Sequence, residues 1–123
     1  MFYIDRSGGM HITRGDSATI STELYSMSGE PIMLSDDSCI IFSVRSKSSG
    51  DLKIKRTITN ENYENDMLVF GISAEETLIE AAVYEYSLLY IPDKNIPHEQ
   101  AFTYAQGDFE VMHSVTTYKD SEG

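Results

Sequence analysis

The chain has 123 residues, 41% of them hydrophobic and 24% charged, a balance typical of a folded globular domain rather than a disordered segment. Twenty acidic residues against nine basic ones give a formal net charge of −11 at pH 7. Binding to nucleic acid or to an anionic membrane requires Lys and Arg to neutralise phosphate groups, so this balance argues against both classes of partner.

Neither export nor membrane insertion is expected from the sequence. Residues 1–6 lack the basic and then apolar layout of a signal peptide. No apolar run reaches the ~18 residues that a membrane helix needs. The single cysteine, Cys39, has no partner for an internal disulfide, so nothing implies an oxidising compartment.

Taken in chain order, the hydrophobic pattern is that of β-strands. Apolar and polar residues alternate in six segments: 16–25, 40–45, 52–58, 67–72, 82–91 and 109–117. Such alternation buries one face of a strand and leaves the other in water, as in antiparallel sheets. Four turn-forming segments fall between them: 28–31, 35–38, 48–51 and 60–62. We therefore predict one all-β domain over residues 1–123, either an antiparallel sandwich or a small barrel.

Two local features complete this prediction. Ser73 and Glu76 form a capping box, which predicts a short helical turn at 74–79 whose apolar residues close one end of the core. The basic stretch 53–56 alternates with apolar residues, and we interpret it as the solvent face of one strand.

The tyrosines are the most informative residues, because the chain has eight of them and no tryptophan. Tyr84, Tyr86 and Tyr90 share one face of a strand that segment 92–98 is expected to connect to a return strand near 101–104. A tyrosine packs its ring while its hydroxyl stays hydrogen-bonded or wet, which suits both a sheet core and an interface. These three tyrosines are the predicted interface residues, and a stack within the core is the competing interpretation.

No catalytic or metal-binding constellation is visible in the sequence. None of His11, His98 and His113 pairs with another at metal-ligand spacing, and Cys39 has neither a cysteine partner nor a basic neighbour that would activate it. We interpret Cys39 as a small buried hydrophobe and His113 as a structural residue on the inner face of its strand. We therefore predict a protein that is not an enzyme, with no catalytic, cofactor-binding or metal-binding residues and no cofactor.

Two acidic pairs and one tripeptide have structural explanations. Asp36 and Asp37 lie in a predicted turn that lacks the spacing of a calcium-binding loop. The pair 75–76 lies in the first turn of the predicted helix, where negative charge is favourable. The Arg-Gly-Asp sequence at 14–16 matches an integrin-binding motif, but its last two residues are also predicted to form the turn that leads into a strand. We favour the structural interpretation.

A series of short motifs spans nearly the whole chain. The motifs are Ile-Thr-Arg-Gly-Asp-Ser-Ala-Thr-Ile at 12–20, Gly-Glu-Pro at 29–31, Ile-Phe-Ser-Val-Arg at 41–45, Lys-Ile-Lys at 53–55, Ile-Ser-Ala-Glu-Glu-Thr at 72–77, Tyr-Glu-Tyr-Ser-Leu at 84–88, Gly-Asp-Phe-Glu-Val at 107–111 and Val-Thr at 115–116. In order and spacing this series resembles the small β-sandwich domain of phage and prophage tail proteins. The resemblance is greatest to the N-terminal domain of baseplate upper proteins in phages of Gram-positive hosts.

This resemblance implies an immunoglobulin-like β-sandwich with a structural role in a virion, without catalysis or a cofactor. The implied partners are other virion or tail proteins and further copies of the same chain, and the implied location is the virion, after synthesis in the cytoplasm of a bacterial host. Two departures stand out. Ala81 and Ala82 occupy the place where the family has a glycine before the Tyr-x-Tyr strand. The long helical and C-terminal region of baseplate upper proteins is missing, so the chain is either a stand-alone structural protein or one domain of a longer one.

The predicted function is therefore non-enzymatic assembly of a phage or prophage tail or baseplate through protein–protein docking. A host-surface or carbohydrate-binding module of similar fold is the alternative, and it requires exposed aromatic residues at one end with converging carboxylates or amides. A small hydrolase is a third possibility, and it requires two carboxylates with perturbed pKa values that face each other in a cleft.

Overall fold

The computed structural model describes residues 1–96 and 101–114, and nearly all of its regular structure is β-strand. The described strands are β1 (Phe2–Ile4), β2 (Met10–Thr13), β3 (Ala18–Thr22), β4 (Leu24–Tyr25), β5 (Pro31–Ile32), β6 (Cys39–Arg45), β7 (Leu52–Ile58), β8 (Tyr63–Glu64), β9 (Met67–Ile72), β10 (Ala82–Ile91) and β11 (Phe102–Met112). The chain is therefore an all-β protein, as the alternating pattern predicts.

The described strands form three sheets. The largest has six strands in the order β1-β2-β11-β10-β6-β7, the second has the order β3-β9-β8, and β4 and β5 form a two-stranded hairpin. Every pair is antiparallel except β2 and β11, which are parallel. The prediction of a purely antiparallel arrangement is wrong at this pair. A short turn imposes antiparallel pairing on consecutive strands, whereas β2 and β11 are too far apart in the chain to be constrained in this way.

The apolar faces of the six-stranded and three-stranded sheets contribute to one core. Phe42 of β6 is completely buried. Its ring centroid lies 5.1 Å from that of Phe70 on β9 and 6.4 Å from that of Phe109 on β11. Ile40 and Val44 point inward beside it, as the alternation in this segment predicts. The core therefore forms where the sequence places its most regular apolar alternation.

Strand β11 unites two strands that the sequence analysis predicts separately. The return strand near 101–104 and the strand from residue 109 form one element that pairs with β10. Residues 97–98 of the predicted connection and 115–117 of the predicted last strand lie outside the described residues. The residues between the two predicted strands are mostly polar, so the sequence indicates a break there. They are polar because they lie on an interior strand whose outer face is exposed to solvent.

A bulge interrupts the pairing of β10 with β11. Leu88 pairs with Ala105 and Leu89 with Thr103, so Tyr104 is the extra residue on β11. A bulged residue leaves the regular alternation and redirects its side chain. Tyr104 uses this freedom to contact another part of the chain, as described below.

Segment 74–79 forms hydrogen-bonded turns instead of the predicted helical turn. The capping box itself is present: Ser73 Oγ accepts from the N–H of Glu76 at 3.2 Å, and Glu76 Oε1 accepts from the N–H of Ser73 at 2.9 Å. The short helix described in the structure lies instead at Asn60–Asn62, where only a turn is predicted, and Thr59 caps it. Capping residues thus mark the start of a turn without ensuring that helix follows.

The Arg-Gly-Asp tripeptide forms the turn into β3 that the sequence predicts. Gly15 has a φ of +87°, in the region that favours glycine, and its N–H donates to the hydroxyl of Thr77 at 2.9 Å. Thr77 is completely buried, and its Oγ1 lies 2.8 Å from the carbonyl oxygen of Asp16. Arg14 donates from Nε to the carbonyl oxygen of Ile79 at 2.9 Å. These contacts within the chain account for all three residues of the motif.

The basic stretch on β7 divides between two environments. Lys53 and Lys55 are exposed, as predicted. Arg56 instead donates to the carbonyl oxygen of Gly71 at 3.1 Å and forms an ion pair with Glu76. The prediction of a solvent face is therefore wrong for Arg56, because adjacent residues of a strand point to opposite faces and Arg56 follows the exposed Lys55.

Candidate docking surface

Tyr84 and Tyr86, two of the three predicted interface residues, are buried inside the chain and only 5% exposed. Tyr84 donates its hydroxyl to the carbonyl oxygen of Glu80 at 2.5 Å, and Tyr86 donates to that of Gly8 at 2.6 Å. Burial raises the pKa of both hydroxyls. The prediction that these two residues form a docking face is wrong. Strand alternation shows which residues share a face, but it does not show which face is covered.

Tyr90, the third predicted interface residue, lies further along β10 and is half-buried. Its ring centroid is 5.2 Å from that of Phe102, an exposed residue that pairs with it on β11. The aromatic face of β10 therefore opens to the surface at this end of the sheet. A role for Tyr90 in an interface remains a prediction.

The β4–β5 hairpin at this end carries exposed apolar residues that the sequence analysis does not identify. Tyr25, Met27 and Met33 are all exposed, and Met27, in the hairpin turn, has no cover from the rest of the described chain. The bulged Tyr104 accepts from the N–H of Tyr25 at 3.0 Å and so attaches the hairpin to β11. We name the surface formed by Tyr25, Met27, Met33, Tyr90 and Phe102 the hairpin end.

The hairpin end has the composition of a protein-binding surface. Aromatic residues and methionine are enriched in interface cores, and clustered exposed apolar residues mark interaction sites more often than isolated ones do. A cleft of about 210 Å³ lies beside Tyr25 and Met33, with Tyr63 and Asp66 also in its wall. The surface therefore offers both projecting side chains and a recess.

Acidic residues surround these apolar side chains. Glu23 just before the hairpin, Glu30 in its turn and Asp66 in the wall of the cleft are all exposed. The sequence has no Lys or Arg in the ranges 15–44 and 57–93, which supply most of this end. An apolar centre with an acidic rim fits a partner that has an apolar recess with a basic rim.

The hairpin end is held in place by hydrogen bonds of its own. The Tyr25 hydroxyl donates to the carboxylate of Glu23, and this bond is the main reason why the pKa of Tyr25 is raised. Tyr104 Oη also lies 3.4 Å from the carbonyl oxygen of Glu23. These bonds order the hairpin before any partner binds, which lowers the entropic cost of docking.

A polar cluster on the outer face of the six-stranded sheet also lies beyond the sequence-based predictions. His11 Nε2 is 2.6 Å from Asp5 Oδ2, His11 Nδ1 is 2.7 Å from Glu110 Oε1, and the Tyr3 ring stacks on the imidazole at 4.5 Å. The bonds to Asp5 and then Glu110 raise the pKa of His11, and the bond from His11 helps to lower that of Asp5. We name His11, Asp5 and Glu110 the His11 clasp.

The His11 clasp joins the β1–β2 hairpin to β11. Both ring nitrogens of His11 are engaged, and a carboxylate with a lowered pKa, such as Asp5, is a weak base. This differs from the pair of facing carboxylates that a hydrolase requires. The three residues of the His11 clasp lie at positions 5, 11 and 110, so no local sequence pattern could reveal the clasp.

The predictions for the remaining reactive residues have mixed outcomes. Cys39 is buried, as expected for a small hydrophobe. His113 is exposed rather than on an inner face, because β11 ends at Met112 and the alternation ends with it. His98 lies outside the described residues.

The acidic turn before β6 connects loops. Asp36 accepts from the side-chain amide of Asn60 at 2.6 Å, and Asp37 accepts from that of Asn95 at 2.9 Å. Within residues 1–96 and 101–114, no group of three His, Cys, Asp or Glu side chains is placed to hold a metal ion. Across the same ranges, no helix has the length and apolarity to cross a membrane.

Comparison with protein-family models and with curated proteins found no match.

Proposed function

We propose that the chain is a non-enzymatic assembly module of a phage or prophage tail or baseplate, and that it acts by docking to other proteins of the particle. The observation that carries this proposal is the hairpin end, where exposed Tyr, Met and Phe side chains are surrounded by carboxylates. The order of motifs along the chain supports the assignment to a particle. Virion proteins, among them further copies of this chain, are the proposed partners, and the virion is the proposed location.

An immunoglobulin-like sandwich is part of this proposal. Contact of Phe42 in the six-stranded sheet with Phe70 in the three-stranded sheet supports two packed layers. Such a scaffold presents loops and hairpins at the ends of its sheets, where variation leaves the core intact. A docking surface on the β4–β5 hairpin fits this division of roles.

Replacing both exposed methionines tests the proposal. Met27→Ser/Met33→Ser removes apolar contact area from the hairpin end and is expected to reduce incorporation of a tagged chain into particles by about tenfold or more. The thermal unfolding midpoint is expected to stay unchanged, because both side chains are exposed. Incorporation is measured by quantitative immunoblotting of particles purified from an induced culture of the source strain.

Ile4→Ser is the matched control for this experiment, because Ile4 is an exposed apolar residue on β1, outside the hairpin end. This variant is expected to enter particles as the unaltered chain does. Equal incorporation of all three proteins would exclude the hairpin end as the docking surface.

A carbohydrate-binding module is the second candidate, and one observation favours it. Tyr25 and Phe102 are exposed aromatic residues at the same end as the carboxylate of Glu23. That carboxylate is already bonded to Tyr25, and Phe102 is stacked with Tyr90, so the end is less free to take up a sugar than to pack against a protein. Binding on a glycan array that is lost in Tyr25→Ala, together with absence of the chain from particles, would favour the carbohydrate-binding module.

A further inference from the structure

The positive charge of this acidic chain is concentrated in one segment. Residues 45–56 contain five of the nine Lys and Arg residues and one acidic residue, Asp51. They form the end of β6, the following turn and most of β7, which lies at the edge of the six-stranded sheet. A basic region is thus built into a chain whose remaining residues include nineteen acidic and four basic ones.

This basic region borders a row of neighbouring clefts that begins beside Ile79 and Tyr84 and continues over the outer face of the sheet. Three clefts of about 430, 260 and 310 Å³ adjoin one another there. The first two share Ser46 and Lys47 in their walls, and the last two share Ser43, Arg45 and Ser87. Because neighbouring clefts share these wall residues, we treat the three as one row of recesses, which we name the basic trough.

The walls of the basic trough combine positive charge with apolar surface. Arg45, Lys47, Lys53 and Lys55 supply the positive charge and Leu52 and Val83 the apolar surface, while two carboxylates, Glu80 and Glu85, also line the clefts. Lys47 forms an ion pair with Asp108 at 2.7 Å, whereas Lys53 and Lys55 take part in none of the ion pairs of the described residues. Lysines on an edge strand commonly prevent unwanted strand pairing. That role accounts for Lys53 and Lys55 but not for Arg45 on the interior strand β6, nor for the trough itself.

We propose that the basic trough is the docking site for the hairpin end of a second copy of this chain, an inference that rests on the proposed function and names one partner for it. The trough has four cations against two carboxylates, and so an excess of positive charge, beside the exposed apolar side chains of Leu52 and Val83. The hairpin end has the opposite charge beside exposed Tyr, Met and Phe. The two surfaces therefore complement each other in charge and in apolar content.

The positions of the two surfaces determine the type of assembly. Arg45 of the trough lies five residues, roughly 17 Å, along β6 from Ile40, the partner of Tyr90. The trough also reaches back to Leu89 and Thr103, which adjoin Tyr90 and Phe102 in sequence and so point to the opposite face of the sheet. One copy can use both surfaces at once, with a different neighbour at each. Such head-to-tail contact produces a ring when the rotation closes and an open chain of copies when it does not.

Sedimentation velocity over a range of protein and salt concentrations tests this inference. The unaltered chain is expected to self-associate with rising concentration and to dissociate as salt is raised. Lys53→Glu is expected to weaken association about tenfold or more by placing a carboxylate opposite the acidic rim. Arg6→Glu, which makes the same charge change at an exposed residue outside the trough, is expected to leave association unchanged.

Mixing two variants tests the head-to-tail geometry. Lys53→Glu retains its hairpin end, and Met27→Ser/Met33→Ser retains its trough, so each is expected to be monomeric alone while the mixture forms a dimer with one copy of each. An unaltered chain that stays monomeric at every concentration, or a Lys53→Glu chain that associates as the unaltered chain does, overturns the inference. If the methionine variant nevertheless fails to enter particles, the proposed function stands and the partner of the hairpin end is a different protein.

Discussion

Phe42→Ala is expected to lower the free energy of unfolding by about 3–5 kcal/mol, the usual cost of removing a fully buried aromatic ring from a packed core. The Phe42 ring is completely buried among Phe70, Tyr86 and Phe109, with ring centroids 5.1–6.4 Å away. Its loss leaves a cavity between two sheets that cannot both collapse onto it, because each is held by its own hydrogen bonds.

Equilibrium unfolding in urea measures this effect, with Ile41→Ala as the control. Ile41 is the neighbour of Phe42 on β6, but it points to the outer face and is half-buried, so its truncation is expected to cost markedly less. A loss below about 1 kcal/mol for Phe42→Ala would contradict the placement of this ring at the centre of the core.

The thermal unfolding midpoint is expected to fall by about 2–5 °C as pH rises through the pKa of His11. Asp5 and Glu110 favour the imidazolium form and raise this pKa above that of the unfolded chain. The stabilisation is therefore fully present below the unfolded value of about 6.5 and is lost as the pH rises through the folded value. The effect is modest because both carboxylates are more than a third exposed.

His11→Gln isolates this contribution. Glutamine preserves hydrogen bonding but does not titrate, so the difference in midpoint between the variant and the unaltered chain is expected to be largest near pH 6 and to shrink at higher pH. Asp5 sets the lower limit, because its lowered pKa adds stability that disappears as the pH falls below about 4. A difference that does not vary with pH would show that the His11 clasp does not contain a charged imidazole.

The alternating strands could be predicted from sequence because their apolar residues repeat with a period of two. This period identifies Phe42 as an inward residue. It also places Tyr84 and Tyr86 together on one face, yet it does not show that this face lies over the core, since the period is the same on either side of a sheet. The burial of these two tyrosines depends on sheet packing, to which distant residues such as Phe109 contribute.

The candidate surfaces depend on contacts that no local pattern contains. His11 and Glu110 meet across 99 residues because β2 and β11 are parallel neighbours. The hairpin turn at 28–31 is predictable from its Gly and Pro. The hydrogen bond from Tyr25 to the bulged Tyr104, which attaches the hairpin to β11, is not. In contrast, the concentration of positive charge in 45–56 is visible in the sequence. Only the clefts beside this segment cannot be recognised without the structure.

Quantitative mass spectrometry of particles purified from an induced culture of the source strain tests the central claim most directly. The account predicts that this chain is present in a constant copy ratio to the other tail proteins from one preparation to the next. Abundant particles that lack the chain would contradict an assembly role.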